Sequence, residues 1–363
     1  MTKSAYIHIP FCKQKCNYCS FISFPVPEMI DNYLIALCKE IKHSYNNELL
    51  NTLYFGGGTP SLLSPEEFKN IIGLFNLSEN AEVTGELNPE NLDCEYLKKL
   101  KSAGINRLSI GCQTFDDNIL KLIGRKHSGD KVKDVVKLAQ DIGFDNISLD
   151  FIYGLPEQSV KMFENDLITA VNLGVQHISL YGLKIEKGCY FYSHYPNNLP
   201  DDDTQAEMYL KAINTLCTNG FEHYEISNFS KKNYSSKHNL NYWNNENYYG
   251  FGVAAHGYID NQRYSNPISL KDYINNPVVY KELKTLTIQE QLEEEIFLGF
   301  RKLQGINTEL INKKFKIDFE LKYKSVLDKY ISTNHLEKTE NGYKFTNTGI
   351  LVSNYILADF LED

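Results

Sequence analysis

The sequence predicts an α/β protein: a partial (β/α)6 barrel followed by a smaller, mainly α-helical domain. Six short β-forming runs lie between residues 5 and 183, and amphipathic stretches separate them. Breaks such as FPVP, GGGTPS and YGLPE supply the turns. Because strand and helix alternate regularly, we expect a parallel sheet with helices outside it. A closed barrel of this kind needs about eight units, so six units predict an open one.

The predicted strands are AYIHI, TLYFGG, AEVTGEL, RLSIGC, ISLDFIYG and HISLYGL. Helices are predicted near 28–46, 64–76, 93–103, 115–142, 159–173 and 202–219. These units define a first domain, residues 1–225. Residues 226–280 are rich in Tyr and Asn without a clear period, and we predict a connecting region that contains HNLNYW. Residues 281–363 suggest helices and a short hairpin, an order that resembles a winged-helix domain.

Charge and hydropathy exclude several classes of protein. The chain of 363 residues has a formal net charge of −9, which disfavours attraction to nucleic acid or anionic lipid. From residue 288 onward there are 10 Lys and Arg against 13 Asp and Glu, so a DNA-reading winged helix is not expected. The sequence has no apolar run of the roughly 18 residues that a membrane span requires. It also shows no secretion signal, and we expect a cytoplasmic protein.

Three cysteines follow the first strand, in HIPFCKQKCNYCSF. Thiols separated by three and then two residues can hold one compact metal centre from a single loop. A zinc site completed by His8 is the alternative, but structural zinc usually draws on two separated pairs of ligands, and no second CxxC exists. A [4Fe–4S] cluster with one open iron fits Cys12, Cys16 and Cys19 better. Of the other cysteines, Cys38 and Cys217 are predicted to be small core residues.

Other polar or glycine residues also fall at the predicted carboxyl ends of strands, where barrels of this type place their sites. GGGTP follows the second strand, Glu86 and Gln113 end the third and fourth, and Asp150 lies on the fifth. Glycines let the backbone approach a ligand closely, and we expect exposed amides and carbonyls of GGGTP to bind ammonium or carboxylate groups.

The cysteine motif, with Tyr18 before its last cysteine, and GGGTP together resemble the radical S-adenosylmethionine superfamily. More narrowly, HIPFC, GGGTP, RLSIGCQTF, LDFIYGLP and YEISNF resemble the oxygen-independent coproporphyrinogen III oxidase family over nearly the whole chain. The resemblance implies a [4Fe–4S] cluster that binds S-adenosylmethionine, with Tyr6, Gly57 and Glu86 as contacts. The positions that contact a second S-adenosylmethionine in the oxidase correspond to Tyr18, Gly58, Thr59, Gln113, Arg125 and Asp150. Whether a second molecule binds is left open.

The family has two branches, and three features favour the haem-chaperone branch. The oxidase carries a fourth cysteine where this chain has Phe21, and a long segment before the cysteines, whereas Cys12 here is close to the first residue given. The chaperones carry HNxxYW, and this chain reads HNLNYW. The resemblance implies haem binding by His238, Tyr242 and Trp243, since imidazole is a good axial ligand. A structural turn that seals the barrel is the alternative, and His256 is a second candidate ligand.

We therefore expect a haem chaperone that hands haem to acceptor proteins, which by resemblance are respiratory or storage haemoproteins. The cofactors expected are the [4Fe–4S] cluster, S-adenosylmethionine and haem. The alternative is an enzyme, a radical S-adenosylmethionine decarboxylase of coproporphyrinogen III. The sequence does not decide whether the protein forms a homodimer.

Overall fold

The structure, a computed structural model, describes residues 2–361, so residues 1, 362 and 363 of the predicted domains lie outside it. Its centre is six neighbouring parallel strands, arranged in chain order within one nine-stranded sheet. They are β1 (Ser4–Ile9), β2 (Leu50–Gly57), β3 (Leu77–Leu87), β4 (Arg107–Gln113), β5 (Ile147–Tyr153) and β6 (His177–Gly182). Each coincides with a predicted strand, and the predicted fold class is confirmed.

Helices follow the strands and bury their apolar faces against the sheet. They are α1 (Ile30–Ser44), α2 (Pro65–Ile72), α3 (Cys94–Ser102), α4 (Asp117–Leu122), α5 (Gly129–Ile142), α6 (Val160–Asn172), α7 (Tyr190–Ser193) and α8 (Asp202–Thr218). Several begin at a side chain that accepts a backbone N–H, as at Ser64, Asp93 and Ser159. Leu37, Phe68 and other apolar residues on their inner faces are fully buried.

The helix predicted over 115–142 is two helices, α4 and α5, with a break between them. Gly124 has φ of +77° and ends α4, and the Ser128 side chain caps α5 by accepting the Lys131 N–H. The apolar period continues across the break, which is why the pattern predicts a single helix. The break has a consequence for the site, because it holds Arg125.

Two cysteines predicted to be in the core are not buried there. Cys217 is exposed and Cys38 is only half-buried. In each helix the preceding leucine, Leu216 or Leu37, is fully buried. Successive residues of an α-helix are rotated by about 100°, so the cysteine that follows such a leucine turns away from the core.

Residues 222–285 complete the sheet and close one end of the barrel. Their elements are β7 (Glu222–Glu225), β8 (Asn228–Ser230), α9 (Lys237–Trp243), β9 (Tyr249–Phe251), β10 (His256–Ile259), β11 (Gln262–Ser265), α10 (Leu270–Asn275) and β12 (Glu282–Thr285). β8 and β7 extend the sheet beyond β6, and β9 pairs with β1 at the other edge, while β10, β11 and β12 form a small antiparallel sheet. The helix α9 contacts Thr52 and Glu82, near the amino-terminal side of the paired strands. We call this end the floor and the opposite end the mouth.

The C-terminal region has its own core, which includes Leu292, Ile296, Phe300 and Phe319. Its elements are α11 (Ile288–Gly299), β13 (Ile306–Asn307), α12 (Thr308–Phe315), α13 (Phe319–Lys322), α14 (Lys324–Ser332), β14 (Leu336–Lys338), β15 (Gly342–Phe345), α15 (Asn347–Leu351) and α16 (Ser353–Ala358). The hairpin of β14 and β15 matches the predicted one, and helices lie before and after it. No helix in the described part of the chain is both long and apolar enough to cross a bilayer. The three domain boundaries stay a prediction.

Candidate functional site

The mouth of the barrel contains a cavity of about 480 Å³. Residues from the carboxyl ends of β2 to β6 line it, as parallel α/β folds lead us to expect. The predicted site residues among its lining are Cys12, Cys16, Tyr18, Cys19, Gly57, Gly58, Thr59, Glu86, Gln113, Arg125 and Asp150. Four predicted residues are not: Tyr6, His238, Tyr242 and Trp243. Tyr54 and Tyr181 also line the cavity. Both lie on predicted strands, but no sequence motif identifies them as site residues.

The cysteines lie on a loop, residues 11–24, that is fastened at both ends. A bridge between Phe11 and Phe24 closes its base, with hydrogen bonds from Phe24 N to Pro10 O and from Cys12 N to Phe24 O. At its tip, Asn17 N donates to Ile123 O, and the Asn17 side chain donates to Leu122 O. The end of α4 therefore sets the height of this cysteine loop above the sheet.

The three thiols fit the soft, incomplete ligand set of an iron–sulfur cluster. All three are free and line the same cavity. Burial raises the pKa of Cys19 to about 11, and the nearby Cys16 and Cys12 add to that rise. The Thr59 hydroxyl donates to Cys12 Sγ over 3.4 Å, and Arg125 Nη1 donates to Cys16 Sγ over 3.7 Å. Such donors stabilise sulfur ligands when these are deprotonated and metal-bound.

The GGGTP turn packs against the base of the cysteine loop. Gly57 has φ of +115°, and a Cβ atom there would lie 2.5 Å from His8 Cε1, while one at Gly58 would lie 2.7 Å from Phe11 O. Three of its amides are used within the protein: Gly57 N donates to Glu86, Gly58 N to Ile9 O and Thr59 N to Phe11 O. These three amides already have partners within the protein, and ligand binding by this turn stays a prediction.

Two carboxyl groups, Glu86 and Asp150, line the cavity. Glu86 accepts hydrogen bonds from Tyr54 Oη at 2.8 Å and Gly57 N at 3.1 Å. Burial raises the pKa of Glu86 to about 7. Asp150 accepts from the hydroxyls of Ser109 and Ser148, and burial raises its pKa as well. Buried carboxyl groups of this kind are suited to bind an ammonium group or ribose hydroxyls.

On and beside β4, next to the strand that carries Asp150, the cavity wall contains polar atoms without partners. Gln113 has φ of +64° beside an irregularity in the pairing of β4 with β5, and its buried Oε1 accepts no hydrogen bond from the described residues. Arg125 Nη2 donates to Gly111 O, but the buried Nε of Arg125 has no hydrogen-bond partner among the described residues. Buried polar groups usually have partners, and these two side chains line the cavity, so a ligand there has access to them. The cavity thus offers acidic, amide and guanidinium groups to one bound molecule.

The HNLNYW motif forms α9 at the floor. His238 is 1% exposed, and both its ring nitrogens are occupied: Nδ1 bonds with Thr52 Oγ1 and Nε2 with Tyr242 Oη, each at 2.8 Å. Burial lowers its pKa to about 3, so the imidazole is neutral. The ring stacks on Tyr54 at a centroid distance of 4.9 Å, and Tyr6 stacks on the other part of Tyr54 at 6.0 Å. This is the sealing arrangement that the sequence left as the alternative.

Trp243 is directed towards the C-terminal region, where Arg301 lies over its ring at 4.3 Å. His238 and Tyr242 thus contact each other, but neither they nor Trp243 reach the cavity at the mouth. Haem binding at these three residues stays a prediction, and iron coordination by His238 would require one ring nitrogen to give up its hydrogen bond. His256 is exposed at the start of β10, also away from the cavity lining.

Comparisons with known proteins agree with this architecture. A model of the radical SAM superfamily matches residues 6–170, and one of the HemN C-terminal domain matches residues 286–352. The solved coproporphyrinogen III oxidase (HemN) of Escherichia coli, described as a radical SAM enzyme, shares the fold, with a TM-score of 0.88 at 22% identity. That match covers 99% of this chain and 90% of the oxidase chain.

Curated relatives are more similar in sequence. A "Heme chaperone HemW" of Bacillus subtilis is 39% identical, covering 99% of this chain and 100% of the relative. One of Lactococcus lactis is 37% identical, covering 99% and 97%. The radical SAM superfamily implies a [4Fe–4S] cluster and S-adenosylmethionine as cofactors. The end-to-end similarity at these identities shows that the chain belongs to the HemW family of radical SAM proteins.

Proposed function

We propose that this protein binds haem and transfers it to acceptor haemoproteins, on a scaffold that carries an iron–sulfur cluster and S-adenosylmethionine. The observation that carries the proposal is the full-length similarity to proteins named heme chaperones. The side chain at the oxidase's fourth-cysteine position supports it, because Phe21 cannot ligate iron and is 68% exposed at the cavity rim.

The cofactors belong at the mouth in this proposal. Cys12, Cys16 and Cys19 hold the cluster, and the cavity beside them takes S-adenosylmethionine. When bound, these groups supply one-electron chemistry at the sulfonium centre. The protein positions these groups and neutralises their charge. Arg125 donates a hydrogen bond to the Cys16 sulfur. Glu86, held by Tyr54 and Gly57, accepts a hydrogen bond from the amine of S-adenosylmethionine. We propose one bound S-adenosylmethionine.

The test is haem binding followed by haem transfer. Protein reconstituted anaerobically with iron and sulfide is titrated with haem, and we expect a Soret band that saturates at about one haem per chain. The loaded protein is then mixed with an apo-cytochrome, with haem-loaded serum albumin as the control donor. Transfer faster than from albumin supports a chaperone. Absence of saturable haem binding would overturn the proposal.

The fold match to the oxidase favours one alternative, radical oxidation of coproporphyrinogen III. The reconstituted protein is incubated with this substrate, S-adenosylmethionine and a low-potential reductant, and the porphyrinogens are analysed by mass spectrometry. Loss of carboxyl groups from the substrate would make the protein an enzyme. We expect the substrate to be unchanged.

A further inference from the structure

The segment after β6, residues 183–196, folds back over the cysteine loop and forms part of the cavity rim. Phe191 N donates to Asn17 O at 2.9 Å, and Ser20 Oγ donates to Glu186 Oε2 at 2.9 Å. Lys15 Nζ reaches Gly188 O at 3.5 Å. These contacts fasten the segment from Glu186 to Phe191 beside the cysteines. We call residues 183–196 the rim segment.

The rim segment exposes large aromatic side chains next to positive charge. Tyr190, Tyr192 and Tyr195 are 52%, 57% and 68% exposed. Its only buried aromatic residue, Phe191, packs with Ile119 and Leu155 and anchors the others in place. Lys184 and Lys187 lie on the same segment, in a protein whose net charge is negative, and Lys184 forms an ion pair with Glu186 at 3.2 Å. Exposed aromatic surface with nearby lysines suits a flat, apolar ligand that carries carboxylates.

His194 adds a metal ligand to this surface. Its Nδ1 is held by the Tyr190 carbonyl at 3.4 Å and by Ser193 Oγ at 3.1 Å, and its ring stacks on Tyr190 at 4.0 Å. The Nε2 atom has no hydrogen-bond partner among the described residues, and the side chain is exposed. An imidazole whose one nitrogen is bound to a carbonyl presents the lone pair of the other nitrogen to a metal.

The other histidines lack this combination. His8, His177 and His238 are buried and use both ring nitrogens within the protein. His127 is buried, and His223 and His335 are half-buried. His43 and His256 are exposed, but they lie at the end of α1 and on β10, away from the cavity lining.

We propose that haem binds on the rim segment, with His194 Nε2 as an axial ligand to the iron. The proposal rests on the proposed haem-binding function and assigns its site. A porphyrin lies perpendicular to its axial imidazole, so its face meets the edges of the stacked His194 and Tyr190 rings, while Tyr192 and Tyr195 supply apolar surface. Lys187 pairs with one propionate, and Lys184 pairs with the other by exchanging its ion pair with Glu186. Coordination uses the Nε2 lone pair and releases no proton, because Nδ1 keeps its own. Haem is then held beside the cysteine loop, open to an acceptor.

The test is a haem titration of the full chain, comparing wild type with His194→Ala and the control His43→Ala, followed by absorbance and electron paramagnetic resonance. Both side chains are exposed, so neither change threatens folding. We expect His194→Ala to weaken haem binding by at least about tenfold and to lose the nitrogen-ligand signature, and His43→Ala to match wild type. Added imidazole should restore the spectrum of a His194→Gly variant.

The outcomes separate the site from the function. If wild type binds haem and His194→Ala keeps its affinity and spectrum, the rim site is wrong while the proposed function stands. The same measurement on His238→Ala then shows whether the ligand is at the floor. If wild type binds no haem, both proposals fall together.

Discussion

The mouth and the floor of the barrel are built from the same kinds of side chain, but those at the mouth line a cavity and those at the floor bond to one another. At the floor, His238 is bonded at both nitrogens, and Glu82 accepts the backbone N–H groups of Lys237 and His238. At the mouth, Gln113 and Arg125 keep buried polar atoms without a partner among the described residues. Buried atoms without such a partner also occur at the floor, at Arg107 Nε and Trp243 Nε1, so what distinguishes the mouth is that its unpaired atoms belong to residues that line the cavity.

Removing a sulfur at the mouth should have the largest effect on cofactor content. In Cys16→Ala, reconstituted iron and the brown absorbance should fall by at least about tenfold, because two cysteines do not hold a cluster of this kind. Thermal unfolding of the apoprotein should hardly change, since Cys16 is only half-buried. The control is Cys217→Ala, an exposed thiol on α8, which should keep its iron. Full iron content in Cys16→Ala would show that the cluster is held elsewhere.

A change at the floor should act on stability instead. Arg107 is fully buried, and the negative charge of Glu82 is the strongest influence that favours its charged form and raises its pKa. Glu82→Gln removes the negative charge with the largest stabilising effect on that guanidinium and should lower the free energy of unfolding by about 3 kcal/mol in urea titrations. Glu95→Gln on the surface of α3, paired with Lys99, is the control and should be almost neutral. Equal stability of both variants would contradict a stabilising interaction between Glu82 and Arg107 at the floor.

Two glycines, Gly57 in the GGGTP turn and Gly188 in the rim segment, allow a matched comparison. Gly57 and Gly188 both have positive φ, +115° and +103°, but a Cβ atom would collide with His8 at Gly57 and meet nothing within 4 Å at Gly188. Gly57→Ala should cost about 2–3 kcal/mol and Gly188→Ala about 1 kcal/mol, as measured by denaturant unfolding. If the two costs are equal, backbone strain rather than close packing explains the glycine at position 57.

The smallest predicted effect is a pH dependence of stability that comes from Glu86. Its pKa in the folded protein, about 7, lies above its ordinary value of 4.5. The folded state therefore favours the protonated carboxyl, and this contribution to stability decreases as pH rises between those two values. We expect wild type to lose about 2 kcal/mol more than Glu86→Gln between pH 5 and pH 8 in urea unfolding. An identical pH slope for the two proteins would show that Glu86 is solvated.

Local pattern was sufficient for the strands, and for the mouth residues that follow directly from their ends. Cys12, Gly57 and Glu86 converge because parallel strands end on one side of a sheet, which can be read without coordinates. The position of α9 could not be predicted from the sequence, because HNLNYW is held at the floor by contacts with Thr52 and Glu82, more than a hundred residues away. Nor does periodicity show the break that places Arg125, or the exposure of the tyrosines around His194.

The stacked rings beneath the cavity connect the two ends of the barrel. His238 supports Tyr54, Tyr54 donates to Glu86, and Glu86 holds Gly57. An allele that damages HNLNYW would consequently loosen the cofactor pocket from below without touching anything bound in it. Failure of such an allele in a cell-based complementation assay therefore cannot assign the motif to haem, and only a spectrum of the iron itself distinguishes a lost ligand from a lost support.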